Sequence, residues 1–377
     1  MSVTFRYAGP DEYPRVSRFI NDYWAKDHIY VRDQPLFEWT FRRPGHWSEP
    51  GFSVALAEDG ECVAGVLGGI PFTFNRFGEQ SSGVWIVNYV IHPDYRKGAT
   101  ALKLLSMFRR PEYHAVIAFG INPATATIYR VLRGEVLPLI PRCFSVLPGQ
   151  EERMKTFLAL AYPAWPVERI QALTAFFASE SYPDAPVMWR TRIPEEWDRC
   201  DWPEFARETV GAARDGSYLK WRYLDHPIFD YRVISVQDGG RSGLLVWRQE
   251  TIRHQTEDGR RDVDRIARIV EFLPTSAGNA RELLGALYET LRAADVFAVD
   301  HYGYHGSSRA WLEEAGLRDA SGHCDGPLVP SRFQPLDGKG GGIMSAVFLN
   351  GEFPKCDGSA SCPWYWTKSD SDMDRPN

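Results

Sequence analysis

One sequence design occurs twice along this chain. Residues 53 to 74, "SVALAEDGECVAGVLGGIPFTF", set Glu58-Asp59-Gly60 between two apolar runs; residues 231 to 248, "YRVISVQDGGRSGLLVWR", do the same with Asp238-Gly239-Gly240, about 180 residues later. Asp-Gly between apolar runs is a hairpin signal. Before each hairpin stands a tryptophan in a similar setting, Trp39 in "FEWTFRRP" and Trp221 in "LKWRYLDHP". After each comes a strand, a helix, a strand and a helix: "VWIVNYVI", "ATALKLLSMF", "YHAVIAFG" and "ATATIYRVLR", then "ARIVEFL", "AGNARELLGALYETLR", "VFAVD" and "SSRAWLEEAG". A period this long means two copies of one domain rather than a solenoid.

The 377 residues suffice for two cores. The reading is an α/β chain with one domain over 1–150, a partly helical packed connection over 151–200, a second domain over 201–350 and a tail over 351–377. Each domain is expected to hold a mixed, mostly antiparallel sheet flanked by helices. The tail ends in "SDSDMDRPN". Asp370, Asp372 and Asp374 mimic the start of a calcium loop whose twelfth-position Glu is absent, so the segment reads as a mobile acidic tail.

A net charge of -6 gives no basic face for nucleic acid. No apolar run reaches the roughly 18 residues of a membrane span, and "MSVTFRYAGPDEYPR" has no signal-peptide core, which places the chain in the cytoplasm. The six cysteines are scattered, as reduced thiols are, and Cys356 and Cys362 lack zinc-ligand spacing, so no metal is expected.

The chemistry concentrates in "VNYVIHPDYRKGATALKLLSMF", residues 87 to 108. Pro93 ends a strand near His92, and helical spacing begins at Ala99. The loop between them, with Arg96, Lys97 and Gly98, is either a solvated turn or a phosphate site built from free amides and two cations. Asn122 then follows the strand "HAVIAFG", and Tyr129 stands seven residues on, at two-turn spacing.

Strand, phosphate loop, helix, strand, Asn, and helix with an inward Tyr together resemble the GNAT superfamily of acyl-CoA-dependent N-acyltransferases, over residues 50 to 147. The resemblance implies that Arg96, Lys97, Gly98, Ala99, Thr100 and Ala101 hold the coenzyme A pyrophosphate, although this loop is one residue short between Arg and Gly. It also implies a backbone N–H near Val90 or Ile91 on the thioester oxygen and Tyr129 as the acid that protonates the sulfur. His92 suits a general base, and Asn88 could hold the acceptor or a bridging water. The plain alternatives are a core tyrosine at 129, an exposed histidine at 92 and an N-cap at Asn122.

The second copy lacks loop cations in "PTSAGNARELL", so one coenzyme A site is expected, in the first copy. The second copy then receives the acceptor or is structural. "VDHYGYHGSSRAW" gathers Asp300, His301, Tyr302, Tyr304 and His305 in what reads as a loop, and Trp221 joins Asp300, His301, Tyr302 and His305 as the acceptor-side set. The layout looks like bacterial sugar N-acyltransferases, which use acetyl-CoA or 3-hydroxybutyryl-CoA on dTDP-linked amino-dideoxy sugars. That resemblance implies small-molecule partners and a monomer or homodimer. Rivals are other tandem transferases, with an aminoacyl-tRNA donor or a cysteinyl pseudodisaccharide acceptor, and a non-catalytic binding module.

Overall fold

The computed structural model describes residues 3–43, 45–185, 188–257, 259–322, 328–338, 341–354 and 362–375. Along the chain run β1 (Thr4–Tyr7), α1 (Tyr13–Tyr23), α2 (Ile29–Arg32), α3 (Gln34–Phe41), β2 (Val54–Asp59), β3 (Cys62–Arg76), β4 (Glu79–Ile91), α4 (Thr100–Ser106), β5 (Ala115–Phe119), α5 (Ala126–Val131), β6 (Glu135–Leu137) and β7 (Arg142–Val146). Residues 151–200 carry α6 (Glu151–Ala161) and α7 (Val167–Phe177). There follow α8 (Trp202–Glu208), β8 (Val210–Ala212), α9 (Gly216–Leu219), β9 (Arg232–Asp238), β10 (Arg241–Thr256), β11 (Gly259–Leu273), α10 (Ala277–Leu291), β12 (Ala298–Tyr302), α11 (Gly306–Glu314), β13 (Arg318–Asp319), β14 (Arg332–Phe333), β15 (Leu336–Asp337), β16 (Ser345–Leu349) and β17 (Trp364–Tyr365).

Two mixed sheets organise these elements, one in the order β1-β2-β3-β4-β5-β16-β6 with β8 and β17 joined through β3, the other in the order β13-β7-β12-β11-β10-β9. Both hairpins form where Asp-Gly predicts, Glu58 to Val63 in the first and Asp238 to Arg241 in the second. Strand residues alternate between two cores. Val54 and Leu56 pack with α1 and α3, while Ala55 and Ala57 face Leu104 and Leu105 of α4. With both faces covered, the strands read as nearly continuous apolar runs. Asp33 caps α3 by accepting the Leu36 N–H at 2.8 Å, and Ser276 caps α10 from the Asn279 N–H at 3.1 Å.

The two sheets trade strands. β7 precedes residue 150 yet pairs with β12 in the second sheet, and β16 comes from the far end of the chain to pair with β5 in the first. The sheets therefore do not divide where the repeat alone would cut the chain. In each sheet the traded strand sits antiparallel to the strand that follows the parallel crossing, β5 after β4 and β12 after β11. The repeat thus extends beyond the hairpins to the whole sheet pattern.

The reading of the C-terminal segment as a mobile acidic tail is corrected. Trp364, Tyr365 and Trp366 are fully buried, and so are Asp370 and Asp374. β17 pairs in parallel with β8. Arg214 holds Asp370 at 2.8 Å, Arg248 holds Asp374 at 2.5 Å, and Asp372 pairs with Arg375 at 2.8 Å. Each fully buried aromatic contributes roughly 1.5–3 kcal/mol of burial. The acids stay inside because each meets a guanidinium; unpaired, they would be expelled. Residues 355–361, including Cys356, lie outside the described residues.

No helix among the described residues is long and apolar enough to cross a membrane, and no group of three or more His, Cys, Asp or Glu among them could hold a metal ion.

Candidate active site

The β4–β5 pairing covers only Gly83–Ile86 against Ala115–Ala118. Beyond it the register against β3 slips between Val66 and Gly68, leaving a bulge at residues 88 and 89, and Asn88 adopts a left-handed φ of 52°. Meanwhile the chain leaves β5 through Gly120, whose φ is 75°, and the Gly120 and Ile121 N–H groups both donate to the Met344 carbonyl at 2.9 Å. The two strands diverge, and a wedge opens between their C-terminal ends.

Alternation decides which backbone groups face that wedge. The His92 N–H donates to Ala64 in β3 at 3.0 Å, so Val90, two residues earlier, also faces β3, and Ile91 turns its N–H and C=O the other way. The Ile91 carbonyl accordingly accepts from Arg96 Nε at 3.2 Å. Of the two N–H donors expected at the thioester oxygen, Ile91 has the orientation.

The loop after β4 begins with a single 3₁₀ turn over Pro93–Tyr95 that His92 caps. Arg96, Lys97, Gly98 and Ala99 are exposed, Ala101 is half-buried and Thr100 is buried. A side chain at Gly98 would meet no protein atom within 4 Å, so packing does not account for glycine here and the loop backbone lies open to a ligand. α4 has only seven residues, shorter than the spacing up to Pro111 predicts, so loop amides and side-chain cations outweigh the helix dipole.

On the α4–α5 side of the sheet, Tyr129 is buried beside Phe348, with ring centroids 6.0 Å apart, and burial pushes its hydroxyl up to about 12. That hydroxyl has no hydrogen-bond partner among the described residues, whereas the neighbouring Tyr89 hydroxyl donates to the Ala101 carbonyl. The Asn88 amide is buried with both its oxygen and its nitrogen unpartnered, a rare state for a native interior. His92 accepts the Asp94 N–H on Nδ1 at 3.3 Å and meets Tyr23 through Nε2 at 3.1 Å, so both its nitrogens are engaged. Asn122 accepts the Ala124 N–H at 2.9 Å as an N-cap, and it also lines the cavity described next.

A cavity of about 890 Å³ lies between the end of β5 and the second sheet. Its first-copy wall is Trp24, Ala25, His28 and Gly120 to Pro123; its far wall is Arg248, Glu250, Arg268, Tyr302, residues 331 to 335 and the C-terminal segment at Lys368 and Met373 to Arg375. Five basic side chains and two carboxylates line it. Glu250 bridges Arg248 and Arg268, the latter at 3.1 Å, and Asp300 behind the wall takes Arg268 at 3.1 Å and Arg142 at 2.9 Å. Burial opposes the Asp300 carboxylate, but Arg268 and Arg142 lower it to about 2.

Of the five residues expected on the acceptor side, Tyr302 reaches this cavity. Asp300 and His301 lie inside β12, not in a loop, because the strand runs on to Tyr302. Asp300 is locked in ion pairs, and His301 bonds the Ile269 carbonyl at 3.1 Å, with burial lowering its imidazole to about 4. His305 precedes α11, bonded to Ser308 at 2.8 Å. Trp221 stacks on Trp39, 4.8 Å between centroids and 15° between planes, under the Arg43 guanidinium at 3.7 Å. The two tryptophans that marked the repeat therefore meet each other.

Sequence reasoning missed His28, Arg248, Glu250, Arg268 and Lys368. A signal existed for some: Arg248 and Glu250 stand two apart in β10, and Arg268 interrupts an apolar strand, a pattern that puts charge on one buried face.

The second copy repeats the bulge, with a register slip between Val246 and Trp247, but not the opening. Counted from the bulge, Phe272 takes the place of Ile91, and its N–H is already bonded to the Tyr365 hydroxyl at 3.0 Å. In its loop Thr275 and Ser276 donate to the Asp238 carboxylate at 2.9 and 2.8 Å, as Tyr95 of the first loop donates to Asp59 at 2.9 Å.

No protein-family model matches the chain, and no curated protein matches it. Solved structures do. A GCN5-related N-acetyltransferase from Anabaena variabilis is 12% identical over 92% of this chain and 73% of its own, with a TM-score of 0.54. The Saccharomyces cerevisiae N-myristoyltransferase with bound myristoyl-CoA is 13% identical over 92% and 82%, at 0.53. An Enterococcus faecalis protein described as a probable N-acyltransferase is 10% identical over 93% and 73%, at 0.54. At such identities the likeness is one of architecture, and it spans both copies: this chain has the fold of the GNAT-type N-acetyltransferase and N-myristoyltransferase structures.

Proposed function

We propose that the protein is an acyl-CoA-dependent N-acyltransferase with one donor site, in the first copy. The observation that carries this is the divergence of β4 and β5 beyond Ile86: β4 ends with an outward Ile91 N–H and an unpartnered Asn88 amide and leads into an open cationic loop, while Gly120 to Pro123 at the end of β5 line a large cavity. A thioester entering from the loop brings its carbonyl to the Ile91 N–H, and the developing oxyanion is stabilised there. Arg96, Lys97 and the amides around Gly98 hold the pyrophosphate, with Ala99 to Ala101 and Asn122 completing the donor site. Tyr129, protonated at neutral pH, gives its proton to the departing thiolate. The fold neighbours, one with myristoyl-CoA bound, support coenzyme A thioesters as the co-substrate class.

The acceptor amine binds in the 890 Å³ cavity, a size usual for small-molecule sites. Its basic excess suits a phosphate-bearing acceptor, and Trp24, Tyr302 and Phe333 offer rings to a base. These features fit acetyl or 3-hydroxybutyryl transfer to a nucleotide-linked amino-dideoxy sugar. The test is calorimetry with coenzyme A on the wild type and on Arg96→Ala/Lys97→Ala, followed by thiol-release assays with dTDP-amino sugars and other amines. One site per chain, lost in the double variant, is expected. Two sites would overturn the single-site reading, and no binding would overturn the transferase.

A further inference from the structure

Thr367 and Ser369 are buried, and Lys368 between them lines the large cavity. Its Nζ stands over the Tyr302 ring, 5.0 Å from the centroid. Among the described residues it makes no hydrogen bond and no ion pair, although carboxylates are near. Each of those is already taken: Glu250 and Asp300 by Arg268, and Asp374 by Arg248. The groups that act on Lys368 are Arg268 from β11, Asp300 from β12, Glu250 from β10 and Asp374 from its own segment. Burial, then the Arg268 guanidinium, lowers the ammonium to about 7, against the upward pull of the three carboxylates. Near neutral pH a fraction of such amines carries a lone pair, in the cavity that Gly120 to Pro123 line at the end of β5.

We propose that Lys368 is the base that takes the proton from the acceptor's ammonium group, an assignment that rests on the acyl-transfer reading above. His92 is less suited, since Asp94 and Tyr23 occupy its two nitrogens and it does not line the cavity. The neutral acceptor nitrogen forms a bond to the thioester carbonyl carbon, and the carbon–sulfur bond breaks. Of the two protons the ammonium loses, one ends on the coenzyme A sulfur and the other leaves through Lys368 to solvent. Arg268 and the Tyr302 ring position the amine, the first by disfavouring its charge and the second by walling one side.

The test compares Lys368→Arg with Lys368→Gln. If Lys368 is the base, arginine keeps the charge but cannot give up its proton, so both variants lose about 10²–10⁴-fold in kcat. Their Kd values for coenzyme A and acceptor stay near wild type, and the rising limb of the wild-type pH–rate profile near pH 7 disappears. If Lys368 only anchors an anion, Lys368→Arg retains kcat and Lys368→Gln raises KM alone; that result overturns the proposal. A readout independent of turnover is ¹³C NMR of the reductively methylated protein, in which a Lys368 resonance titrating above pH 9 overturns it too. Failure of the wild type to bind coenzyme A would instead sink the transferase reading.

Discussion

Arg248 is tied to the carboxylate of Asp374 by two hydrogen bonds, 2.9 Å from Nε and 2.5 Å from Nη2, which join the middle of β10 to the end of the described chain. Both side chains are buried, so removing Asp374 leaves Arg248 with Glu250 alone, a carboxylate it shares with Arg268, and the cluster with one positive charge more. Asp374→Ala is expected to cost about 3–5 kcal/mol, while Arg248→Met/Asp374→Leu should recover much of that. Urea midpoints at constant slope measure both; a neutral Asp374→Ala would show that the segment is not held by this pair.

Acid should weaken the fold earlier than carboxylates alone would allow. Burial lowers His28 and His226 to about 3 and His301 and His305 to about 4. Unfolded histidines bind protons below about pH 6.5 while these do not, so their contribution is complete above 6.5 and is lost as pH falls from there toward 4. Each adds a slope of up to about 1.4 kcal/mol per pH unit. Asp300, held at about 2, adds its loss only below about pH 4. Urea midpoints at pH 7, 6 and 5 should decline; a flat series contradicts four neutral buried imidazoles.

Asn88→Gly separates stability from function. Glycine adopts a φ of 52° without strain, and the change removes two unpartnered buried polar atoms, each of which costs about 1–3 kcal/mol. The variant should melt at or above the wild-type temperature yet turn over more slowly if the amide holds the acceptor or a water. Unchanged kcat/KM would return Asn88 to a purely conformational part.

Arg96→Ala/Lys97→Ala removes two exposed cations that no core contact needs. Loss of about 1.5–3 kcal/mol per charged hydrogen bond means that Kd for coenzyme A rises at least tenfold, with the melting temperature unmoved. Equal affinity would exclude the loop from the donor site.

For Tyr129→Phe the expectation is a kcat lowered by about 10²–10⁴-fold with donor affinity retained. Since the hydroxyl bonds nothing among the described residues, stability should change little. Equal turnover would leave Tyr129 as packing against Phe348.

How far the sequence reaches is clear from particular elements. The hairpins at Gly60 and Gly239 and the strand before His92 follow from turn chemistry and strand composition, and the structure has them. The wedge itself left little trace. A bulge at Asn88 depends on two neighbouring strands rather than on the residue, and nothing in "VNYV" announces it. Asp370 and Asp374 read as solvated because their arginines, 214 and 248, stand far upstream in the second copy, and a pairing across such a distance has no local pattern. For the same reason "RCFSV" and "SAVFL" look like ordinary strands, with no mark of the sheet each joins.

That trade of strands sets the order in which the protein can be made. β5 finds its outer neighbour only when β16 has been synthesised, so during translation the first sheet waits with an unpaired edge while the second copy emerges. Neither half can be expressed alone as a complete unit. Two separately produced halves, mixed after dilution from denaturant, should recover structure only together, each supplying the strand the other lacks.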